Sequence, residues 1–405
     1  MKKRLLSVLL VLVMVASLLV ACGGSDDKKD TEAGATDASK ETESVAKETD
    51  GEKETDKETD KETEASGGNG EIVAKEKYHF EIVSKGFQST YWQAVYKGAQ
   101  ASAAKYGITM EFVGPNSESD IADQVQMLNN AVNKGPHAIG LAALDTKAAL
   151  EGIANAVEKG IPIIGFDSGV PGAPEGSVLA NASTDNYVAG GVAAEGMYEG
   201  IKDRIANASG PVRIGEVNQD ATSESITQRG LGFIDKMVEL LAADGKKVAV
   251  VGNDFYIANK KGATVDEGEA DVIIEVRVPA QTTTELTAIE AATILNKEDT
   301  IAIFGSNQTA AEGVVTANEN LGVLGTGEDD IIGVGFDSGS VIKAAVADGT
   351  LYGAVTQAPV RIGEVLIELL IQAANGEEVS NVDTGAQWYN AANIDSPEIA
   401  QNLYD

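Results

Sequence analysis

The sequence predicts an α/β fold made of two doubly wound parallel-sheet lobes, and three observations lead there. The stretch Ile161-Pro162-Ile163-Ile164-Gly165-Phe166-Asp167-Ser168-Gly169 has a second copy, Ile331-Ile332-Gly333-Val334-Gly335-Phe336-Asp337-Ser338-Gly339, which repeats Gly-Phe-Asp-Ser-Gly in the other half of the chain. Each copy is a short apolar run bounded by Gly and Pro, which reads as a strand buried on both faces. Such runs alternate with segments of helical period over short connections, the mark of a parallel sheet covered on both sides. Ligands of open α/β sheets sit beyond the carboxyl ends of the strands. Two aspartates at two such ends therefore imply two lobes facing one ligand.

The chain starts with Met1-Lys2-Lys3-Arg4 and an apolar run from Leu5 to Val20, shorter than the ~20 residues of a membrane span and shaped like an export signal. The run ends Leu19-Val20-Ala21-Cys22-Gly23, which resembles the lipobox of bacterial lipoproteins. That resemblance implies cleavage after residue 21 and a lipid on Cys22, the single cysteine of the chain. From Gly23 to about Lys77 the composition turns to Asp, Glu, Lys, Thr, Ser and Gly, with Lys-Glu-Thr-Asp recurring at Lys47, Lys53 and Lys57. A segment with so little to bury is expected to stay disordered. As a coil it would span ~40 Å, a tether between membrane and folded body.

The body opens with a strand, Tyr78–Ser84, and a helix, Thr90–Tyr106, which Gly107 stops. A strand Ile108–Val113 and a helix capped by Ser117 or Ser119 complete the first βαβ unit, with Ile121, Val125, Leu128 and Val132 on one helical face. Ala138–Ala142 is the third strand, and Asp145 is expected to cap a helix over Lys147–Lys159 before the first Gly-Phe-Asp-Ser-Gly strand. The loop Gly169–Gly176 leads to Val178-Leu179-Ala180, where the first lobe should end. Thr184 or Asp185 starts a helix to about Arg204. The second lobe then reads as strands Val212–Val217, Val248–Val251, Asp271–Val278 and Ile301–Phe304, with helices Ser223–Ala243, Thr284–Leu295 and Thr309–Leu321. Residues 252–268 fit no period. After the second Gly-Phe-Asp-Ser-Gly strand come helix Ser340–Ala347, strand Leu351–Thr356, helix Pro359–Ala374 and a last strand near Gln387–Asn393.

Composition narrows the function. A formal charge of −32 with two histidines leaves no basic surplus to neutralise phosphates, so no nucleic-acid partner is expected. No His/Cys set has metal spacing, and neither a Gly-x-Ser-x-Gly elbow nor a phosphate-cradling loop is present, so neither metal, cofactor nor catalysis is expected. Paired Asp-Ser-Gly triplets also mark pepsin-like proteases, whose carboxylates share a proton. That fold is nearly all β, and these triplets lie among helices. A plainer alternative has both aspartates only capping the helices that follow.

From about Tyr78 onward the chain resembles the periplasmic-binding-protein-like type I family, in particular the ribose/galactose/autoinducer-type solute-binding proteins of ABC importers. The residues that carry the resemblance are the aromatic pair Tyr91-Trp92, Gly160-Ile161-Pro162-Ile163-Ile164-Gly165-Phe166-Asp167, Thr184-Asp185-Asn186 with Gly190-Gly191, Gln228-Arg229-Gly230-Leu231-Gly232-Phe233, Ser306-Asn307, Gly335-Phe336-Asp337 and Thr356-Gln357. It implies a three-strand hinge crossed near Ser183, Gln357 and Gln387. The first lobe would then hold 78–183 and 358–387, and the second 184–357 and 388–405. It implies a monomeric, exported protein on the outer face of the cytoplasmic membrane or in the periplasm, with ABC permease subunits as partners or, alternatively, a sensor receptor. A repressor with the same lobes is set aside because of the export signal.

The resemblance also assigns contacts. Tyr91 and Trp92 would sandwich a sugar ring, Ser89 would be a polar first-lobe contact, and Asp167, Arg229, Asn307, Asp337 and Gln357 would bond hydroxyls. Independent chemistry favours these types, since a sugar offers apolar faces to aromatics and a hydroxyl rim to carboxylates and amides. The aromatics could instead be core residues, Arg229 a surface ion pair, Asn307 an N-cap and Gln357 a hinge residue. Ser168 replaces the arginine that follows the first-lobe aspartate in ribose-type proteins, Ala142 replaces an asparagine, and Gln281 lies near a position often aromatic. The ligand is therefore expected to be a sugar-like molecule other than ribose.

Overall fold

The computed structural model describes residues 72–405. The export signal, Cys22 and the tether up to residue 71 lie outside the described residues. Ile72 to Lys77, expected as the end of the tether, instead dock on the body. Lys75 N donates to Asn375 Oδ1 at 3.2 Å and Asn375 Nδ2 to Val73 O at 2.9 Å, while Ile72 and Ala74 pack on the first-lobe core. The apolar run Ile72-Val73-Ala74 gives this stretch something to bury.

The first lobe runs β1 (His79–Val83), α1 (Thr90–Tyr106), β2 (Thr109–Val113), α2 (Ile121–Lys134), β3 (Ala138–Leu141), α3 (Leu150–Glu158), β4 (Ile163–Phe166) and β5 (Asn181–Ser183). The second runs α4 (Asn186–Asn207), β6 (Val212–Val217), α5 (Glu224–Ala243), β7 (Val248–Gly252), α6 (Asp254–Asn259), a 3₁₀ turn at Glu267–Glu269, β8 (Val272–Arg277), α7 (Thr284–Leu295), β9 (Thr300–Gly305), α8 (Gln308–Leu321), β10 (Ile332–Phe336), α9 (Ser340–Ala347) and β11 (Gly353–Gln357). The chain returns as α10 (Pro359–Ala374) and β12 (Val382–Asp383), then crosses to β13 (Ala386–Tyr389) and α11 (Pro397–Ala400).

Two sheets result, in the orders β12-β5-β4-β3-β1-β2 and β13-β11-β10-β9-β6-β8-β7. Every pairing is parallel except β11 with β13. Buried strands such as Ile163–Phe166 and Ile332–Phe336 are covered on both faces, as their continuous apolar runs require.

Several expectations change. Asp145 accepts from Lys147 N and Ala148 N at 2.8 Å, so it caps a turn, and the helix itself starts at Leu150. The strand expected at Val178–Ala180 forms at Asn181–Ser183. The stretch without period holds α6, whose N-cap is Asn253. Ala386 and Gln387, expected in the first lobe, pair with Gln357 and Thr356 of the second sheet, so the third crossing lies at Thr384-Gly385.

The lobes touch through side chains as well as through these crossings. Ser119 Oγ accepts from Thr282 N at 2.7 Å, Thr222 Oγ1 donates to Leu144 O at 3.1 Å, and Gln308 Nε2 donates to Thr90 Oγ1 at 3.0 Å.

Candidate functional site

Among the described residues, only two non-glycine residues have positive φ: Asp167 at 56° and Asp337 at 72°. They are the aspartates of the two Gly-Phe-Asp-Ser-Gly copies, one just past β4 and the other just past β10. The left-handed region costs an L-residue about 1 kcal/mol or more, and such strain collects at functional positions. In both copies the bend frees the carboxylate from the strand and aims the following Ser-Gly elsewhere. Ser168 Oγ accepts from Ser225 N at 3.2 Å and Gly169 N donates to Glu224 Oε2 at 2.7 Å, both across the lobes. Ser338 Oγ accepts from Tyr404 N at 2.9 Å and Gly339 N donates to Tyr404 O. Neither aspartate caps the helix that follows it through its own side chain.

Each carboxylate has its own cation. Asp167 is buried; its Oδ1 accepts from Tyr91 OH at 2.5 Å, and its Oδ2 lies 3.2 Å from Lys85 Nζ. The geometry of that ion pair makes no hydrogen bond to Oδ2, which keeps acceptor capacity. Lys85 also donates to Ser225 Oγ at 2.9 Å. Burial alone would lower the Lys85 pKa, but Asp167, Glu118 and Asp220 more than offset it, so the ammonium is held. Asp337 Oδ1 accepts from Gln357 Nε2 at 2.6 Å and Oδ2 from Gln308 N at 3.0 Å, with Arg229 Nη1 3.9 Å away. Burial raises the Asp337 pKa, and Arg229 and Gln357 pull it back.

Arg229 is only 2% exposed, so it is no surface ion pair. Its guanidinium lies 3.7 Å from the centroid of the Phe336 ring, donates twice to Asn186 Oδ1 and once to Ser306 O at 2.8 Å. A clamp of this kind uses a planar fork that lysine lacks. These groups line a closed cleft of about 30 Å³, more than the ~10–15 Å³ that one water needs and well below a drug-sized pocket.

A family described as periplasmic binding protein domain matches residues 80–378. The chain belongs to that family. The D-allose-binding periplasmic protein of Escherichia coli (strain K12) is 24% identical over 315 residues, spanning 76% of this chain and 88% of that protein. Among solved structures, one described as an ABC transporter, LacI family transcriptional regulator from Brachyspira murdochii is 36% identical with a TM-score of 0.67, over 81% of this chain and 99% of that one. An ABC transporter solute binding protein from Agrobacterium vitis with bound D-fucose is 29% identical with a TM-score of 0.65, over 80% and 100%. The relatives from Escherichia coli and Agrobacterium vitis are described as binding proteins, and the fold is that of a type I periplasmic binding protein.

In this periplasmic binding protein the expected residues fall into three groups. Ser89, Tyr91, Trp92, Asp167, Arg229, Asn307, Asp337 and Gln357 all line the cleft. Ser168 does not; it is fully buried and serves the cross-lobe bond to Ser225. Gln281 is exposed in the loop after β8, because the chain turns its neighbour Thr282 inward, where Thr282 N reaches Ser119.

Some roles also differ from expectation. Tyr91 and Trp92 meet edge to face, with centroids 5.1 Å apart and planes at 84°, so they cannot be two sides of a sandwich. Ser89 and Asn307 are N-caps, accepting from Trp92 N and Ala310 N, and Asn307 Nδ2 also bonds Gln219.

Lys85, Glu118, Gln219, Ser225, Ile226, Gln308 and Thr309 line the cleft too and were not anticipated. Lys85 stands two residues past the end of β1, and that position is the signal that could have found it. Glu118 accepts from Trp92 Nε1 at 2.9 Å and, across the lobes, from Gln219 Nε2 at 3.0 Å. Burial raises its pKa against the pull of Lys85. Its place beside Ser117 and Ser119 reads as capping sequence, which hid it.

Proposed function

We propose that this chain is the extracytoplasmic solute-binding component of an ABC importer, closing two lobes on a sugar or sugar-like solute. The observation that carries the reading is the pair of left-handed aspartates, one at the rim of each lobe, each with its own cation, around one small closed cleft. Alternating carboxylates, amides and cations can bond adjacent hydroxyls at several points. The relatives point the same way: one is named for binding D-allose and one holds D-fucose. Contacts to both lobes stabilise the closed form, which the permease would read. Export, lipidation at Cys22 and the 22–71 tether belong to the same proposal, as do the two discontinuous lobes, and they would keep the body near the permease.

The test is a thermal-shift screen of pentoses, hexoses, polyols and nucleosides. A solute at 100 times its Kd adds ~2.7 kcal/mol to the folded state, a shift of a few degrees. No response from any polyhydroxylated compound overturns the reading. For the anchor, Cys22→Ala should move the protein from the membrane to the soluble fraction, and unchanged fractionation overturns the lipid.

A further inference from the structure

The segment that follows α11 lies beyond the family match, which ends at residue 378, and it runs along the hinge. Thr356 Oγ1 donates to Asn402 O at 3.2 Å and Asn402 Nδ2 to Gln387 Oε1 at 2.8 Å, which lays the segment over β11 and β13. Leu403 packs on the second-lobe core. Tyr404 turns the other way: it is 9% exposed and belongs to the first-lobe core with Tyr91, Trp92 and Phe166. Its backbone and hydroxyl close on Ser338, the residue after the left-handed Asp337. Tyr404 N donates to Ser338 Oγ at 2.9 Å, Gly339 N to Tyr404 O at 3.0 Å, and Ser338 N to Tyr404 OH at 3.3 Å. Its ring makes an edge contact with that of Tyr91, centroids 6.0 Å apart and planes at 64°, and Tyr91 OH donates to Asp167 Oδ1 at 2.5 Å. Both phenols feel the second-lobe carboxylate: burial and then Asp337 raise the pKa of Tyr404, and burial, Asp167 and Asp337 raise that of Tyr91. Tyr404 thus joins the two aspartates from behind, and it does not line the cleft.

Resting on the solute-binding reading above, we infer that Tyr404 is a positioning residue of the solute site, holding the Tyr91 hydroxyl and the Asp337 turn in register so that both carboxylates face one solute. A left-handed turn at a residue other than glycine persists only where its surroundings over-determine it. The three bonds to Ser338 and Gly339 supply that constraint beside Asp337. On the other side, the Tyr91 ring cannot swing away from Asp167 without giving up its edge contact to Tyr404. Groups that bind a solute must be held to within about 0.5 Å by the packing and bonds of their neighbours. One side chain does this for both rims.

The experiment is calorimetric titration of the full-length protein, with the pentoses, hexoses and polyols of the screen as probes, D-allose and D-fucose first. Tyr404→Leu keeps an apolar side chain but removes the edge contact and the hydroxyl, whereas Tyr404→Phe keeps the ring and the backbone bonds. The leucine variant should bind the parent's tightest probe at least about tenfold more weakly, and the phenylalanine variant should stay within about threefold of the parent. On Tyr91→Phe, which has already lost the bond to Asp167, adding Tyr404→Leu should cost at least about threefold less than it does alone. A side chain that only filled the core would lower the melting temperature, leave the affinity of the folded protein unchanged and add to Tyr91→Phe. Parental affinity in the leucine variant, additivity in the double variant, or a phenylalanine variant no better than the leucine one each overturns the inference and leaves the solute-binding reading standing. Should Tyr404→Leu not fold, Tyr404→Met is read by the same criteria. Silence of the parent toward every probe overturns the solute-binding reading and this inference with it.

Discussion

Asp337 combines a backbone duty with a chemical one, and the two can be separated. Asn tolerates the left-handed region nearly as well as Asp, so Asp337→Asn should keep the fold while removing the charge beside Arg229. The expected result is a melting temperature within a few degrees of the parent and solute affinity reduced at least about tenfold, or ~1.4 kcal/mol; unchanged affinity would remove Asp337 from the ligand site. Glu216, on β6 behind the cleft, makes a second residue-scale case. It is fully buried, its Oε1 accepts from Asn218 Nδ2 at 2.5 Å, and its Oε2 has no partner. Burial raises its pKa well above the usual carboxylate range. The folded state therefore holds a proton that the unfolded chain releases near pH ~4.3. Stability should fall as pH rises above that value, by about 1.4 kcal/mol per pH unit, until the folded-state pKa is reached. Glu216→Gln should remove this slope, so melting curves of parent and variant should converge on acidification, and parallel curves from pH 5 to 8 would contradict the assignment. The sequence showed Asp167, Asp337 and Arg229 because each stands beside a strand end or inside a motif. Lys85 also stands just past a strand, but nothing in local spacing says how far its long side chain will reach, and Glu118, between Ser117 and Ser119, reads as capping sequence.

At the scale of elements, α5 carries Arg229 into the cleft and α4 supplies its partner Asn186, and two glycines set the distance between these helices. A Cβ on Gly190 would lie 2.0 Å from Arg229 O, and one on Gly232 would lie 2.0 Å from Tyr187 O. The helix backbones touch where a side chain cannot fit, so overpacking there must push them apart. Gly190→Ala should therefore lower the melting temperature by several degrees and also weaken solute binding, because the guanidinium moves with its helix. A variant with parental stability and affinity would show that the crossing has slack. Helical period alone could not supply this close approach, although Gly190-Gly191 and Gly230 to Gly232 were legible as markers. Long periodic elements such as α1, α5 and α10 were legible nearly to the residue. Short ones were not: β5 forms at Asn181–Ser183, α6 has no period to show it, and β13 begins at Ala386. Strands of two to four residues take their register from the neighbouring strand, not from a pattern of their own.

The whole molecule depends on how two lobes share a cleft, and several bonds that hold them together never face it. Ser119 makes one of these. Its Oγ accepts from Thr282 N at 2.7 Å across the lobes, and it is not among the residues lining the cleft. A bond made only when the lobes meet favours the closed form over the open one by about 1 kcal/mol. Where the open form dominates without solute, apparent affinity scales with the fraction already closed. Ser119→Ala should then weaken solute binding about fivefold, although the cleft lining stays the same. The effect should appear mainly as faster dissociation, since the open form that admits solute is unchanged. Small-angle scattering without solute should show a radius of gyration equal to or slightly above the parent value. An affinity identical to the parent would mean that this bond does not bias closure and that the cleft groups around Asp167, Arg229 and Asp337 hold the closed form by themselves.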